Sequence, residues 1–435
     1  MTRGFSRVFL AVSCGLFLAQ GSLARAAGDF PKDLDQLNRL TGTEPMLGAL
    51  KALTDDPKQT KQLLASALTH AKEQDKLSFN GAMVLAQAAA DLKDLKTSEA
   101  FFRVCIDQAV KLQSANKLLQ AYDPLIYIYF DNKQYEQSAR LCKELLELKT
   151  DDGKDRIVLV PFQNRFNEII FEEFDRFDTA GRLQPYVRRI LIQAITKTGD
   201  YKQAIKLVDN LIKATDHWEE RELKGWVLRE AGQDEEAAKA YEEVIAGVLK
   251  DKDLDAKKRD RALDRYNYTL SNIYVDMKKI DKATEILQQM LKKAPDNPGL
   301  NNDLGYIWAD NDMKLDEAEV LIRKALDLDK KRRQAKTKLK PAEDRDNGAY
   351  LDSLAWVLFK KKQYKEAKDV LLKAIEDKES QHIEIYDHLG DVYIALDDRA
   401  QAVKAWQKGL EVVGEGRREA ERKSVVEKKI EKYKK

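Results

Sequence analysis

One small set of residues recurs at fixed offsets through the second half of the chain, and it restricts the fold more than any other feature. In LGDVYIALDDRAQAVKAWQKGLE it is Leu389-Gly390, Tyr393, Ala402 and Trp406. The same offsets return as Leu354-Ala355, Leu358, Ala367, Leu371 and Ala374, and, with one extra residue between the two segments, as Leu304-Gly305, Trp308, Ala318, Ile322 and Ala325. Earlier copies hold Leu270, Tyr274, Ala283, Leu287 and Pro295; Gly225, Leu228, Ala237 and Tyr241; and Leu191, Ile195, Ala204 and Val208. Large residues three and four apart make one apolar stripe along a helix. The small residues mark where two helices approach closely. A single helix pair cannot bury such a stripe, so the units must stack into one continuous core. Trp308, Tyr393 and Trp406 are accordingly expected to be core.

This skeleton resembles the tetratricopeptide repeat family, whose unit of about 34 residues is two antiparallel helices with the pattern W-L-G-Y-A-F-A-P. The resemblance implies an all-α fold, a right-handed solenoid of stacked helix pairs. A composition that is one third charged, with only 9 Pro and 20 Gly, agrees with it. About six clear units occupy residues 185–416, with charged insertions near 246–263 and 328–347 that are expected to lengthen the second helix of a unit. Fainter copies fill 79–184, with Ser98 and Ser138 in the Ala position. Between these and the clear array, Phe162, Phe166, Phe171, Phe174 and Phe177 recur at helical intervals and predict a divergent helix pair. Short amphipathic helices in 27–78 and a polar helix in 417–435 would cap the two ends.

The first 26 residues read as a secretory signal. Arg3 and Arg7 precede an apolar run from Val8 to about Leu18, and Ala24-Arg25-Ala26 is a small-x-small cleavage site. Cleavage near Ala26 makes the protein a secreted, periplasmic one. The apolar run continues past Cys14, so a lipoprotein is not expected. Losing Arg3, Arg7 and Arg25 takes the formal charge from +2 to −1, a poor balance for nucleic-acid binding. Cys105 and Cys142 fit either a disulfide, which an exported compartment permits, or two buried small hydrophobes.

Catalytic constellations do not emerge. His70, His217, His382 and His388 lack metal-ligand spacing, and no nucleophile elbow, phosphate-binding loop or dinucleotide fingerprint occurs, so neither a metal, a cofactor nor an enzymatic activity is expected. An enzyme with its site in 151–183 would have only phenylalanines, scattered acids, Arg165, Arg176 and Arg182 to work with. Asn267 heads a formal glycosylation sequon, but inside a predicted helix.

Family members bind their ligands on the concave side, lined by the first helices of successive units. Transferred position by position, the resemblance assigns three rows to that groove: Tyr268, Asn302, Asp352 and Asp387; Asn272, Tyr306, Trp356 and Asp391; and Asp276, Asp310 and Lys360. Members that clamp a chaperone carboxylate carry Lys and Asn there, whereas Tyr, Asn and Asp stand at those positions here. An aromatic and acidic face suits a peptide or protein with basic side chains, bound through its backbone. The implied function is a protein- or peptide-binding scaffold, and the last three units look especially like the C-terminal units of exported bacterial members, some of which assist envelope assembly. The alternative is an envelope-surface protein in weak contact with anionic lipid through KKRRQAKTKLK, Lys330 to Lys340, and the basic tail.

Overall fold

The computed structural model describes residues 35–74, 77–112, 114–147, 159–163, 169–173, 180–335, 344–376, 378–414 and 416–434. The segment expected to be a secretory signal, with its expected cleavage site, lies outside these residues. The chain divides into two units, Met1–Asp216 and His217–Lys435. The fold is an all-α solenoid of helix pairs, interrupted by one small hairpin.

The first unit begins with α1 (Thr43–Asp55) and α2 (Pro57–Gln74), followed by the pairs α3 (Phe79–Asp91) with α4 (Leu95–Lys111) and α5 (Ala115–Asp131) with α6 (Tyr135–Glu147). After the hairpin come α7 (Ala180–Lys197) and α8 (Tyr201–Thr215). The second unit stacks five pairs: α9 (Trp218–Glu230) with α10 (Asp234–Lys250), α11 (Ala256–Asp276) with α12 (Ile280–Lys293), α13 (Pro298–Asp310) with α14 (Leu315–Gln334), α15 (Gly348–Lys360) with α16 (Tyr364–Ala374), and α17 (Ile383–Ala395) with α18 (Arg399–Glu411). A last helix, α19 (Arg417–Tyr433), follows.

One turn joins the two helices of nearly every pair. A residue in the left-handed region closes the first helix at Lys93, Lys133, Gly232, Lys278, Asp312, Lys362 and Asp397. The next N–H then donates to the carbonyl five residues back: Gln233 to Leu228, Lys279 to Tyr274, Met313 to Trp308, Gln363 to Leu358 and Asp398 to Tyr393, all at 2.7–2.9 Å. This is a Schellman closure, which satisfies carbonyls that the helix end leaves open. The acceptors are the large residues of the repeat. The constant turn therefore explains the constant offset to Ala237, Ala283, Ala367 and Ala402. Ala318 comes one residue late because Lys314 adds a second left-handed step, at φ 45°. Asp94 to Ala89 and Gln134 to Tyr129 repeat the bond in the fainter copies. There Ser98 and Ser138 are fully buried, and the Ser98 hydroxyl donates to the Ala86 carbonyl at 2.8 Å.

The small residues sit where the pairs close. Gly390 lies against the Trp406 indole so tightly that a Cβ would overlap the ring. Ala402 and Trp406 are completely buried, and Trp308 nearly so, whereas Tyr393 is half-buried. Cys105 and Cys142 are both free and buried, and burial pushes both thiols well above their ordinary pKa. The insertions lengthen second helices, α10 to 17 residues and α14 to 20, and the first also extends the following first helix, α11, to 21.

The phenylalanine-rich segment departs from its helical reading. Leu159–Gln163 (β1) and Ile169–Glu173 (β2) pair antiparallel, with Phe162 opposite Ile170 and Phe171 opposite Pro161. Pro161 is poorly placed inside a helix, while LVPF and IIF are β-branched and aromatic runs that favour strands. Periodicity alone does not separate such short apolar runs. Phe166, Phe174 and Phe177 lie outside the described residues.

Candidate functional site

Three consecutive first helices of the second unit start on side-chain caps that set where each stripe begins. Asp255 accepts from Lys258 N–H before α11, Asn297 from Leu300 before α13, and Asn347 from Ala349 and Tyr350 before α15. With the apolar stripe of each helix turned into the stack, the three expected rows take up three depths.

The first row is the deepest. Asn302, Asp352 and Asp387 are 7%, 4% and 0% exposed, and only Tyr268 remains open, at 40%. The Tyr268 hydroxyl donates to Asp303 at 2.8 Å, and the Asn302 amide donates to the same carboxylate at 3.2 Å. Burial holds the Asp303 carboxyl above its usual range and, with that carboxylate beside it, pushes the Tyr268 phenol up to about 12. Asp352 pairs with His388 Nδ1 at 2.8 Å, both buried.

The second row is half-buried, and two of its four residues are aromatic. Tyr306 donates its hydroxyl to Glu384 at 2.8 Å. Trp356 stacks against His388, with centroids 4.1 Å apart, and against Phe359 at 5.0 Å. Both aromatics thus brace the next unit as well as line the face. Asn272 donates to the Tyr268 carbonyl. In the third row Asp310 accepts from the Trp356 indole at 3.0 Å, and Lys360 bonds Asp312 and the Asp310 carbonyl while lying over the Trp356 ring.

A helix of the same chain lies on this face. Along α19 the residues Arg418, Arg422, Val426, Lys429 and Tyr433 recur three and four apart and so share one side. Arg418 reaches Asp276 at 2.6 Å and the Asn272 carbonyl at 3.5 Å. Its neighbour Arg417 reaches Asp234 at 3.1 Å and Asp276 at 3.8 Å. Arg422 joins Glu384 at 2.8 Å and Asp387 at 3.0 Å, and Lys429 joins Asp387 at 2.6 Å and Asp391 at 2.7 Å. Val426 is completely buried, packed with Ile383, Ala402 and Trp406, beside Ile430 and Tyr433. A helix of 17 residues spans about 25 Å, so α19 reaches from the last pair back to α10 and α11.

The charges tune one another. Burial would raise Glu384, but the His388 and Arg422 cations and the Tyr306 hydroxyl hold it below its ordinary value. Burial raises Asp391 above the usual carboxylate range, with Lys429 opposing it in part. His388 is enclosed completely, which disfavours its cation, yet the Asp352 carboxylate outweighs that and its pKa is raised.

Asp276, Asp387, Asp391 and, through Glu384, Tyr306 are thus gathered under α19, whereas Asp310, Trp356 and Lys360 form a set of their own. Reasoning from sequence missed Asp234, Asp303, Glu384, His388 and the four cations of α19. A usable signal was present, since Arg418, Arg422 and Lys429 repeat at helical spacing opposite rows of acids. Elsewhere in the unit, an open hollow of about 750 Å³ lies between α12, α13 and α14, lined by Leu291, Leu304, Trp308, Val320 and Leu321. None of the expected site residues lines it. Within the described part of the Lys330 to Lys340 run, three cations meet acids or a carbonyl of their own chain: Lys331 with Asp327, Arg333 with Asp329, Asp344 and Asp346, and Arg332 with the Asp296 carbonyl. No group of His, Cys, Asp and Glu able to hold a metal occurs among the described residues.

Comparison with known proteins bears on the repeats themselves. Residues 197–249, and separately 264–297 and 349–376, match family profiles described as tetratricopeptide repeat. No curated protein matches the sequence. Among solved structures, a tetratricopeptide repeat protein from Parabacteroides merdae is 12% identical over 74% of this chain and 100% of its own, with a TM-score of 0.48. A thermophilic TPR protein of Thermus thermophilus is 14% identical over 48% of this chain and 98% of its own, with a TM-score of 0.36. The C-terminal part of a TPR repeat-containing protein from Cytophaga hutchinsonii is 15% identical over 68% and 97%, with a TM-score of 0.37.

Proposed function

Because the chain belongs to the tetratricopeptide repeat family, an interaction scaffold in its general chemistry, we propose that the first-helix face of the second unit binds a protein partner without catalysing a reaction on it. One observation carries this reading. The acids on this face already engage a helix, through Asp276, Glu384, Asp387 and Asp391. Half-buried Tyr306 and Trp356 add the rigid aromatic area that interface anchors use. Arg3, Arg7, the apolar run and Ala24-Arg25-Ala26 support export and so a periplasmic partner, and the likeness of the last three units to exported bacterial members supports a role in envelope protein assembly.

Crosslinking in intact cells, followed by mass spectrometry, identifies what the face holds. Tyr306→Ala with Trp356→Ala is expected to keep most of the helical circular dichroism and to weaken capture of that partner about thirtyfold, the effect of losing roughly 2 kcal/mol of anchor. Since both rings also brace the neighbouring unit, Asp276→Asn with Asp391→Asn serves as a second probe of the same face. Undiminished capture by both folded variants moves the binding site elsewhere. Export is read from the mature N-terminus, expected near Ala27; an intact start on cytoplasmic material removes the periplasmic assignment.

A further inference from the structure

The first-helix face of the second unit is occupied, and its occupant has the chemistry of a ligand rather than of one more repeat. Within α19, seven basic residues stand against four acidic ones. Four of the cations meet Asp234, Asp276, Glu384, Asp387 and Asp391, contributed by α10, α11 and α17. We propose that α19 is an intramolecular stand-in for the partner of this face: a basic amphipathic helix with cations spaced like Arg418, Arg422 and Lys429, which binds by displacing α19. The proposal rests on the first-helix face being the binding surface.

The chemistry of the partner follows from Asp387. That side chain is 0% exposed and takes two cations from α19, Arg422 and Lys429. An apolar or acidic ligand seated there would enclose an unpaired carboxylate, which is strongly unfavourable. A ligand that brings its own cations restores both pairs. At the other end of the helix Asp276 likewise takes two cations, Arg417 and Arg418, so the whole length selects for positive charge.

Displacement is feasible because α19 is held differently from its neighbour. Helix α18 buries Ala402, Ala405, Trp406 and Gly409, whereas Val426 is the buried residue of α19. Ile430 and Tyr433 add half-buried contact beside it, and the rest of the hold is ionic, through cations that keep from 25% to 54% of their exposure, where salt screens attraction. Gly416, at φ 124° with open space around it, joins α19 to the array in a conformation that side chains other than glycine rarely take. As a tethered competitor α19 keeps a high effective concentration, so a free helix binds the wild-type protein weakly until α19 is loosened.

The test uses the full chain and a fluorescein-labelled synthetic peptide of residues 416–435 as probe. The variant Arg422→Gln with Lys429→Gln is expected to bind the peptide about tenfold more tightly than wild type. Raising salt from about 0.1 M to about 1 M, which shortens the Debye length from about 10 Å to about 3 Å, should abolish that binding. Adding Asp387→Asn and Asp391→Asn should abolish it as well. Equal affinity of wild type and variant, or affinity indifferent to the two Asp substitutions, overturns the proposal. Should the variant fold poorly, hydrogen exchange on wild type decides: amides of 417–433 are expected to exchange about tenfold faster at high salt, with those of α18 unchanged. Uniform protection across α18 and α19 at both salts makes α19 a fixed part of the stack and sinks the idea. A dimer in light scattering that exchanges α19 between copies sinks its intramolecular form. Peptide affinity is blind to whether Tyr306 and Trp356 hold the cellular partner, so failure here and failure of the broader reading give separate results.

Discussion

The pairs of the second unit are held together by one surface and present another, and the two are built by opposite means. Where helices of a pair close, contact is apolar and steric: Gly390 against Trp406, Ala402 and Ala367 without exposed area. On the first-helix face, contact is electrostatic and long-range in sequence, as between Asp276 and Arg418 or between Asp352 and His388. A steric seam tolerates few residue types and so repeats itself from unit to unit. The charged face does not repeat, because its acids take different partners: Asp276 and Asp387 meet cations of α19, Asp352 a histidine, and Asp303 and Asp310 the polar groups of Tyr268 and Trp356.

The seam should break with the larger effect. Ala402→Leu adds volume where no space exists and is expected to cost about 1–3 kcal/mol of stability. Lys404→Leu, two residues away and exposed, should change stability by no more than about 0.5 kcal/mol. Urea midpoints measure both; equal values would mean that the seam does not run through Ala402.

The face should respond to pH instead, and by less. His388 is surrounded by Asp352, Glu384, Arg422, Tyr306 and the Trp356 ring, and its pKa in the folded protein is raised above the ordinary value. A raised histidine stabilises fully below its unfolded pKa of about 6.5, and that contribution is lost as pH climbs through the folded value. The thermal midpoint of wild type is therefore expected to fall as pH rises above about 6.5, and His388→Gln to flatten that slope. A wild-type profile already flat across this window would take the histidine charge out of the account.

Much of the fold was legible because it rests on local periodicity. Leu304, Trp308 and Ala318 announce a helix, a turn and a second helix within one short window, and left-handed closures such as those at Lys278, Lys362 and Asp397 hold the spacing constant in the other copies. The hairpin at Leu159–Gln163 was misread because five residues cannot distinguish a strand from a helical turn, and the phenylalanine spacing happened to fit both. For the face, the family pattern placed Asp276, Tyr306, Trp356, Asp387 and Asp391 on first helices. It could not say that Asp352 and Asp387 would be enclosed while Asp310 stays exposed. Depth is set by how far the neighbouring unit overhangs each helix, and that is not a local quantity.

By itself, then, the sequence determined the repeat, the pairing of helices and the small residues at each seam, since short-range sterics and a period of 3.6 residues leave few alternatives. Tertiary structure alone decided that a basic helix from the end of the chain comes to rest on acids contributed by α10, α11 and α17, and that Glu384 and His388 join the face. The reason is physical: an ion pair such as Arg417 with Asp234, 183 residues apart, depends on where a stack of helices delivers its surfaces, and no local pattern encodes that distance.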